Sequence, residues 1–437
     1  MIKILRSGCR SIASFAKKYR YLLMAVVIAA IVLPEISVYF HKPGRGSDIL
    51  GYLRAGHDAL QLNDLYRNSA PGIDNTWPPF FSFFIAPLAI SQNLFGLPVT
   101  KIIWYFVNFT ALILSMQIVS YFLYGRRPAF FKKSDFDFTS DKVFVPAFLV
   151  LPALINNFFM LQINAFILFL VLAGLLFHKK EKPLCAGVMF ALAASIKAYP
   201  GLFLFYLILK KQWKTAIYTI IFGILFTLSP IIFYGIDGYI NLMKEWLTIS
   251  FSEPFIVGYT TFNNHSLYAF WERLLAHQLH LTEPASQMIK LFNVSSILII
   301  LIPSFALIIR IRSQKNTAIL TMIEYSVICT MMILFPPIAW RHYWIIMLPA
   351  AASIYYCFRM IPKSITPVIM ILSIISLSLM QIPYFSTKSS VGIFLKVNSC
   401  YTFCALSALI VLLLLYYRIS KINKSMDDRS DNLQTIT

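Results

Sequence analysis

Acidic side chains are scarce in this chain: 18 Asp and Glu stand against 38 Lys and Arg over 437 residues, and charged residues make up only 13%. A soluble globular chain carries about 25% charge, so a water-soluble enzyme is excluded. No polar stretch is long enough to fold a separate domain, which excludes a soluble body on a single anchor. No glycine pattern of the P-loop or dinucleotide-binding type occurs. Of the six cysteines, Cys9 sits in the basic N-terminal segment, and Cys185, Cys329, Cys357, Cys400 and Cys404 lie in or at apolar runs. None falls in a polar exterior loop, so no disulfide framework is expected. The first apolar run, 21–40, is longer than a signal-peptide core and ends without a small-residue cleavage pattern. It reads as a retained span.

What the chain does have is grease: 58% of its residues are hydrophobic and the mean hydropathy is +0.71. Apolar runs of about 20 residues, the length that crosses a bilayer as a helix, recur along its length. The net charge of +20 comes from short basic groups between these runs, including Lys17, Lys18 and Arg20, Arg126 and Arg127, Lys132 and Lys133, Lys179 to Lys182, and Arg310 to Lys315. Lys and Arg beside a span resist translocation, so such groups mark the cytoplasmic side. The charge reports topology and excludes a polyanionic partner as its cause.

Threading the basic groups onto one side predicts an all-α polytopic membrane protein of roughly twelve membrane segments. Residues 1–419 form one integral membrane domain with both termini cytoplasmic. A first exterior loop covers 41–98 and a second exterior segment 236–288; 420–437 is an unstructured cytoplasmic tail. Spans are expected at about 143–158 and 215–235. The run from Pro183 to Leu209 is basic at both ends, so it must enter and return, as a broken or re-entrant pair around "SIKAYPG". "PPFFSFFIAPLAI", 78–90, is too short for a span and fits a wedge in the outer leaflet, beside the polar helix that opens at Asp48.

Several polar groups stand out against this background. Asp48, followed by Tyr52 four residues on, is either the cap of its helix or a general base at a water–lipid boundary. Asp58 lies about 80° round the same helix and forms no pair with it. Lys197 is an ionisable group inside an apolar hairpin, where a charge either snorkels to headgroups or meets a partner. Arg341 and His342, in "FPPIAWRHYW", put a guanidinium and an imidazole at a short exterior turn, where both can bind phosphate. Gln162 and Asn164 lie at another exterior turn, and Asn264, His265 and Arg273 in "TFNNHSLYAFWER"; amides there either bind sugar hydroxyls or satisfy helix ends. His277 and His280 have i,i+3 spacing, but no further ligand completes a metal site.

Taken together, these pieces resemble the polyprenol-phosphate-sugar-dependent glycosyltransferases of the C-type fold, and most of all glycosyltransferase family 87. The resemblance rests on Asp48 with Tyr52, "NDLY" at 63–66, and "WPPFF" with Trp77 where the family has Tyr. It continues through Gln162 and Asn164, Lys197 before Pro200, "NHSL" with His265 where Gln is common, and Pro337, Trp340 and His342.

The resemblance implies a membrane glycosyltransferase that moves a hexose, mannose or pentose from a polyprenyl-phosphate donor to a glycolipid or glycan acceptor. It would work at the outer face of the plasma membrane, with no cofactor and no metal. Asp48 inherits the role of catalytic base. His342, Arg341 and Lys197 are expected on the donor phosphate, and Tyr52, Gln162, Asn164, Asn264 and Arg273 on the sugar or acceptor. The competing reading is a lipid-linked-glycan transporter or flippase, or a polysaccharide polymerase or ligase. Against a transporter, the ionisable groups gather at one face instead of the midplane, and no halves repeat.

Overall fold

The computed structural model describes residues 14, 18–41, 47–66, 75–126, 136–137, 139–251, 263–278, 285–311, 317–386 and 389–434. Cys9, Arg127, Lys132, Lys133, Arg312, Lys315 and His280 lie outside them, as does the side chain of His277. The described backbone is helical, without a β-sheet; one isolated antiparallel bridge joins Asn264 and Trp340. Among the described residues, four helices are long and apolar enough to cross a membrane, or six if two bent pairs each count as one span, and five shorter apolar helices accompany them.

The chain divides into two compact units, each assembled from separate stretches of sequence: one from 29–118 and 153–261, the other from 1–28, 119–152 and 262–437. In chain order the first helices are α1 (Arg20–His41), α2 (Ser47–Gln61), α3 (Pro79–Tyr124), α4 (Asp141–Leu149), α5 (Leu151–Phe159) and α6 (Asn164–Lys179). Next come α7 (Pro183–Ile196), α8 (Leu202–Leu209), α9 (Trp213–Leu228) and α10 (Ile231–Phe251). They are followed by α11 (Leu267–Glu272), α12 (Ala285–Ile311), α13 (Ala318–Leu334), α14 (Leu348–Met360), α15 (Pro367–Phe385), α16 (Ser390–Val397) and α17 (Cys400–Gln434).

In the unit of 29–118 and 153–261, the polar helix α2 lies along the first arm of α3. Ile49, Tyr52, Leu53, Ala55 and Ala59 are buried. Gly56 permits the approach, because a Cβ there would come within 3.0 Å of the Ala89 side chain and 3.3 Å of the Ala86 backbone. The wedge expected at 78–90 is the first arm of α3, and Gly96 ends it: its φ of 79° turns the chain before the apolar run that continues to Tyr124. The chain between α2 and α3 is tied down by the Tyr66 hydroxyl donating to the Trp77 carbonyl (2.8 Å) and by Asn75 donating to the Leu65 carbonyl (3.1 Å). Tyr66 and Leu65 pack with Leu242 of α10, and Tyr234 donates to the Asn63 carbonyl (2.7 Å). The 183–209 run is broken as its sequence implies: α7 stops at Ile196, Lys197 is extended, and a 3-10 turn at Tyr199–Gly201 leads into α8.

In the other unit, α13 is buried along its whole length, and Tyr416 of α17 hydrogen-bonds Glu324 of α13. Asp141 of α4 pairs with Arg359 of α14 and accepts a hydrogen bond from Tyr355 (2.6 Å). A buried carboxylate needs such a partner.

Three expectations change. The 143–158 span is two helices, α4 and α5, bent by 73°, and the run from 213 is likewise bent by 85° between α9 and α10. A run of apolar residues fixes burial but not straightness, and Gly235 inside α10 adds a further turn through its φ of 67°. Helix α17 runs on to Gln434, through most of the stretch expected to be an unstructured tail.

Candidate active site

Helix α2 begins at Ser47, so Asp48 stands in its first turn and not at the cap position. Its carboxylate oxygen Oδ2 accepts a hydrogen bond from Gln162 Nε2. Gln162 Oε1 in turn accepts from the Tyr52 hydroxyl at 2.9 Å. Gln162 is delivered by the sharp turn between α5 and α6, where Leu161 takes a left-handed φ of 51°. Two bonds hold that turn: Trp104 Nε1 donates to the Leu161 carbonyl (2.8 Å) and Asn157 Nδ2 to the Gln162 carbonyl (3.3 Å).

Two residues on, Asn164 opens α6 and is completely buried. Its Oδ1 accepts from Lys197 Nζ (3.1 Å) and from the Tyr199 hydroxyl (3.0 Å). Its Nδ2 has no partner among the described residues. The break between α7 and α8 thus aims both Lys197 and Tyr199 at one amide oxygen. Lys197 is only 7% exposed, and its charge reaches Asp48.

Burial pushes the Asp48 carboxyl above the usual carboxylate range, and the Gln162 hydrogen bond and the Lys197 charge pull it partly back. A carboxylate in that position is a better proton acceptor near neutral pH than an exposed one. Below it, the Tyr52 ring meets Trp77, Phe81 and Trp104 edge-on, with centroids 4.9, 5.2 and 6.0 Å away. Asp58, by contrast, pairs loosely with Arg54 (3.9 Å) and accepts from Asn63 (3.3 Å).

The remaining candidates belong to the other unit. Asn264 is spent on holding a loop: its Oδ1 accepts from the backbone N–H of Ala339 (2.9 Å) and of Ser266 (3.2 Å), and its Nδ2 donates to the Pro337 carbonyl (3.1 Å). Arg273 donates through Nη1 to the Asn264 carbonyl (2.7 Å) and through Nε to Ser399 Oγ (2.9 Å). Both are buried and brace this loop, an arrangement that does not favour the sugar-binding role expected of them. His342 is buried in the 3-10 turn Arg341–Met347, and the Arg341 guanidinium lies 5.9 Å from the Tyr384 ring centroid. His265 is fully buried beside Tyr401, ring centroids 4.6 Å apart. Its ring is held neutral by burial and by the charges of Arg273, Arg341 and Lys396.

Asp48, Tyr52, Gln162, Asn164 and Lys197 therefore come together within one unit, as a sequence of short motifs could only suggest. Tyr199 and Trp104 were not among the expected site residues. Tyr199 had a signal, standing two residues after Lys197 at the helix break; Trp104 had none. Among the described residues no cluster of three or more His, Cys, Asp or Glu is placed to hold a metal ion.

The profile of glycosyltransferase family 87 matches residues 75–337, more than half of the chain. That stretch contains Gln162, Asn164, Lys197, Asn264 and Arg273, while Asp48, Tyr52, Arg341 and His342 fall outside it. No curated protein is significantly similar to the chain. Among solved structures, the crystal structure of ArnT from Cupriavidus metallidurans bound to undecaprenyl phosphate is similar over 93% of this chain and 78% of that one. The identity is 11% and the TM-score 0.41, a likeness that assigns no residue a role.

Proposed function

The chain belongs to glycosyltransferase family 87, and from that premise we propose that it transfers a sugar from a polyprenyl-phosphate donor to a hydroxyl of a glycolipid or glycan acceptor at the outer face of the membrane. The observation that carries this reading is the convergence of a raised carboxylate, Asp48, and a buried cation, Lys197, on one polar cluster. The cluster sits where an amphipathic helix meets apolar segments, which suits a substrate with a polar head and a lipid tail. A lipid-linked donor also needs no nucleotide site, in keeping with the missing glycine patterns.

In the proposed step the acceptor hydroxyl attacks the anomeric carbon and gives its proton to Asp48. The bond from that carbon to the phosphate oxygen breaks, and its electron pair leaves with the polyprenyl phosphate. Lys197 stabilises the charge that gathers on the departing phosphate. Arg341 and His342 are further proposed phosphate donors, able to hydrogen-bond an oxyanion. Gln162 and Tyr52 act on Asp48 instead of on the sugar.

The test is turnover of the purified protein with radiolabelled polyprenyl-phosphate sugars and membrane lipid extract. Asp48→Asn should abolish transfer without loss of folding, and Asp58→Asn should retain it. Lys197→Met should slow transfer by about 10²–10³, the usual effect of removing one preorganised charge donor. Turnover with a nucleotide sugar in the absence of any lipid-linked donor would refute the donor assignment.

A further inference from the structure

Tyr52 and Gln162 form a short hydrogen-bonded chain that ends on Asp48. Ionised, a carboxylate accepts and cannot donate, so the group facing it must be the NH₂ end of Gln162. That leaves Oε1 of the same amide pointing the other way, where it accepts from the Tyr52 hydroxyl at 2.9 Å. A flipped amide would set oxygen against the ionised carboxylate and lose that bond. The orientation is thus fixed by the carboxylate, and the far end of the amide is held by Tyr52, whose ring is wholly buried among Trp77, Phe81 and Trp104. The Gln162 backbone is fixed independently by Asn157 and by Trp104 through Leu161.

One carboxylate oxygen, Oδ2, is therefore engaged, and among the described residues no hydrogen bond falls on Oδ1. We infer that Tyr52 and Gln162 form a positioning relay: it turns Asp48 so that Oδ1 is the oxygen that receives the acceptor's proton, and it sets the pH at which that oxygen works. This inference rests on the reading of Asp48 as the base. It moves Tyr52 and Gln162 from the surface that touches the sugar to the support behind the reacting group.

Among the described residues, the charge that acts on Asp48 is that of Lys197 from the α7–α8 break, and Tyr52 on its own helix is the titratable group behind Gln162. The segments of and before α3 contribute only Trp77, Phe81 and Trp104 to the relay. Lys197 donates to Asn164, a residue outside the relay. A change at Gln162 or Tyr52 thus reads out the relay alone.

The sign follows from the bond. Donation from Gln162 favours the ionised carboxylate, so its removal raises the pH at which Asp48 loses its proton. In a pH profile of kcat/KM, Gln162→Met should move the acidic limb upward by about one unit, the scale of one charge-assisted hydrogen bond. Gln162→Glu adds a like charge and should move it further. Tyr52→Phe keeps the ring and its packing, so it should fold, and should give a smaller shift in the same direction. In all three, KM for donor and acceptor should change little and activity should return at higher pH.

An unmoved limb together with a raised KM would make Gln162 a substrate contact and overturn the relay. So would Tyr52→Phe that matches the wild-type profile. The underlying reading is separable: Asp48→Asn that still turns over would sink both, whereas an inactive Asp48→Asn with unmoved limbs in the other variants would sink the relay alone.

Discussion

At the scale of single residues, Asp48 joins two opposed demands. Its position in the first turn of α2 favours a negative charge, which the helix N-terminus stabilises, but burial there outweighs this and raises its pKa. A group whose folded pKa lies above its unfolded value stabilises the fold at low pH, where it is protonated in both states. That contribution is lost as pH rises through the folded value. Asp48→Asn has no proton to lose, so it should raise the thermal midpoint relative to wild type at neutral pH. The difference should shrink toward zero as pH falls into the ordinary carboxylate range. Thermal unfolding in detergent at several pH values checks this. A variant less stable than wild type at neutral pH would show that the Gln162 and Lys197 interactions outweigh burial. The expected pairing of a more stable protein with no activity is the pattern of a residue kept for chemistry.

His342 and Arg341 differ in the same way. His342 is buried, whereas Arg341 is partly exposed beside Tyr384. Arg341→Ala should therefore lower kcat/KM with little change in stability, and His342→Ala should lower both. Steady-state rates set beside thermal midpoints separate the two effects.

At the scale of elements, the sequence shows where helices must stop more clearly than where they bend. The break at Lys197 is legible because each half of 183–209 is too short to cross and Pro200 cannot continue a helix. The bends after Leu149 and Leu228 have the same signal in Pro152 and Pro230, but the apolar runs on either side of each concealed it. The polar character of α2 was likewise readable, and with it a helix opening at Asp48. Its depth of contact with α3 was not, because that depends on Gly56 facing Ala86 and Ala89. This close approach is what sets Asp48 against Gln162. Gly56→Ala should be tolerated, a gain of about 1 kcal/mol in helix propensity offsetting a slight displacement. Gly56→Leu should be destabilising by about 1–3 kcal/mol through overpacking, and should slow transfer by shifting α2 from α3. Retention of wild-type stability and rate in Gly56→Leu would mean that α2 is not held by this contact.

At the scale of the whole molecule, the residues that carry the proposed chemistry are spread widely along the chain and could not be assembled from sequence alone. Tyr52 and Gln162 are 110 residues apart, and no periodicity links a helix at the start of the chain to a turn between two later apolar runs. Sequence supplies the order of the motifs, and its basic groups give an expected side of the membrane. That side is the premise of the mechanism, because Asp48 and Lys197 can meet an outer-leaflet donor only if α2 is exterior and the basic loops are not. Leu60 on α2 is exposed, as are Lys180 in the α6–α7 connection and Lys421 near the end of α17. With the six native cysteines replaced, Leu60→Cys should react with a membrane-impermeant maleimide in intact cells. Lys180→Cys and Lys421→Cys should react only after permeabilisation. Labelling of position 180 from outside would place the basic loops on the exterior face and with it turn Asp48 to the cytoplasm, where a donor delivered to the outer leaflet would not reach it.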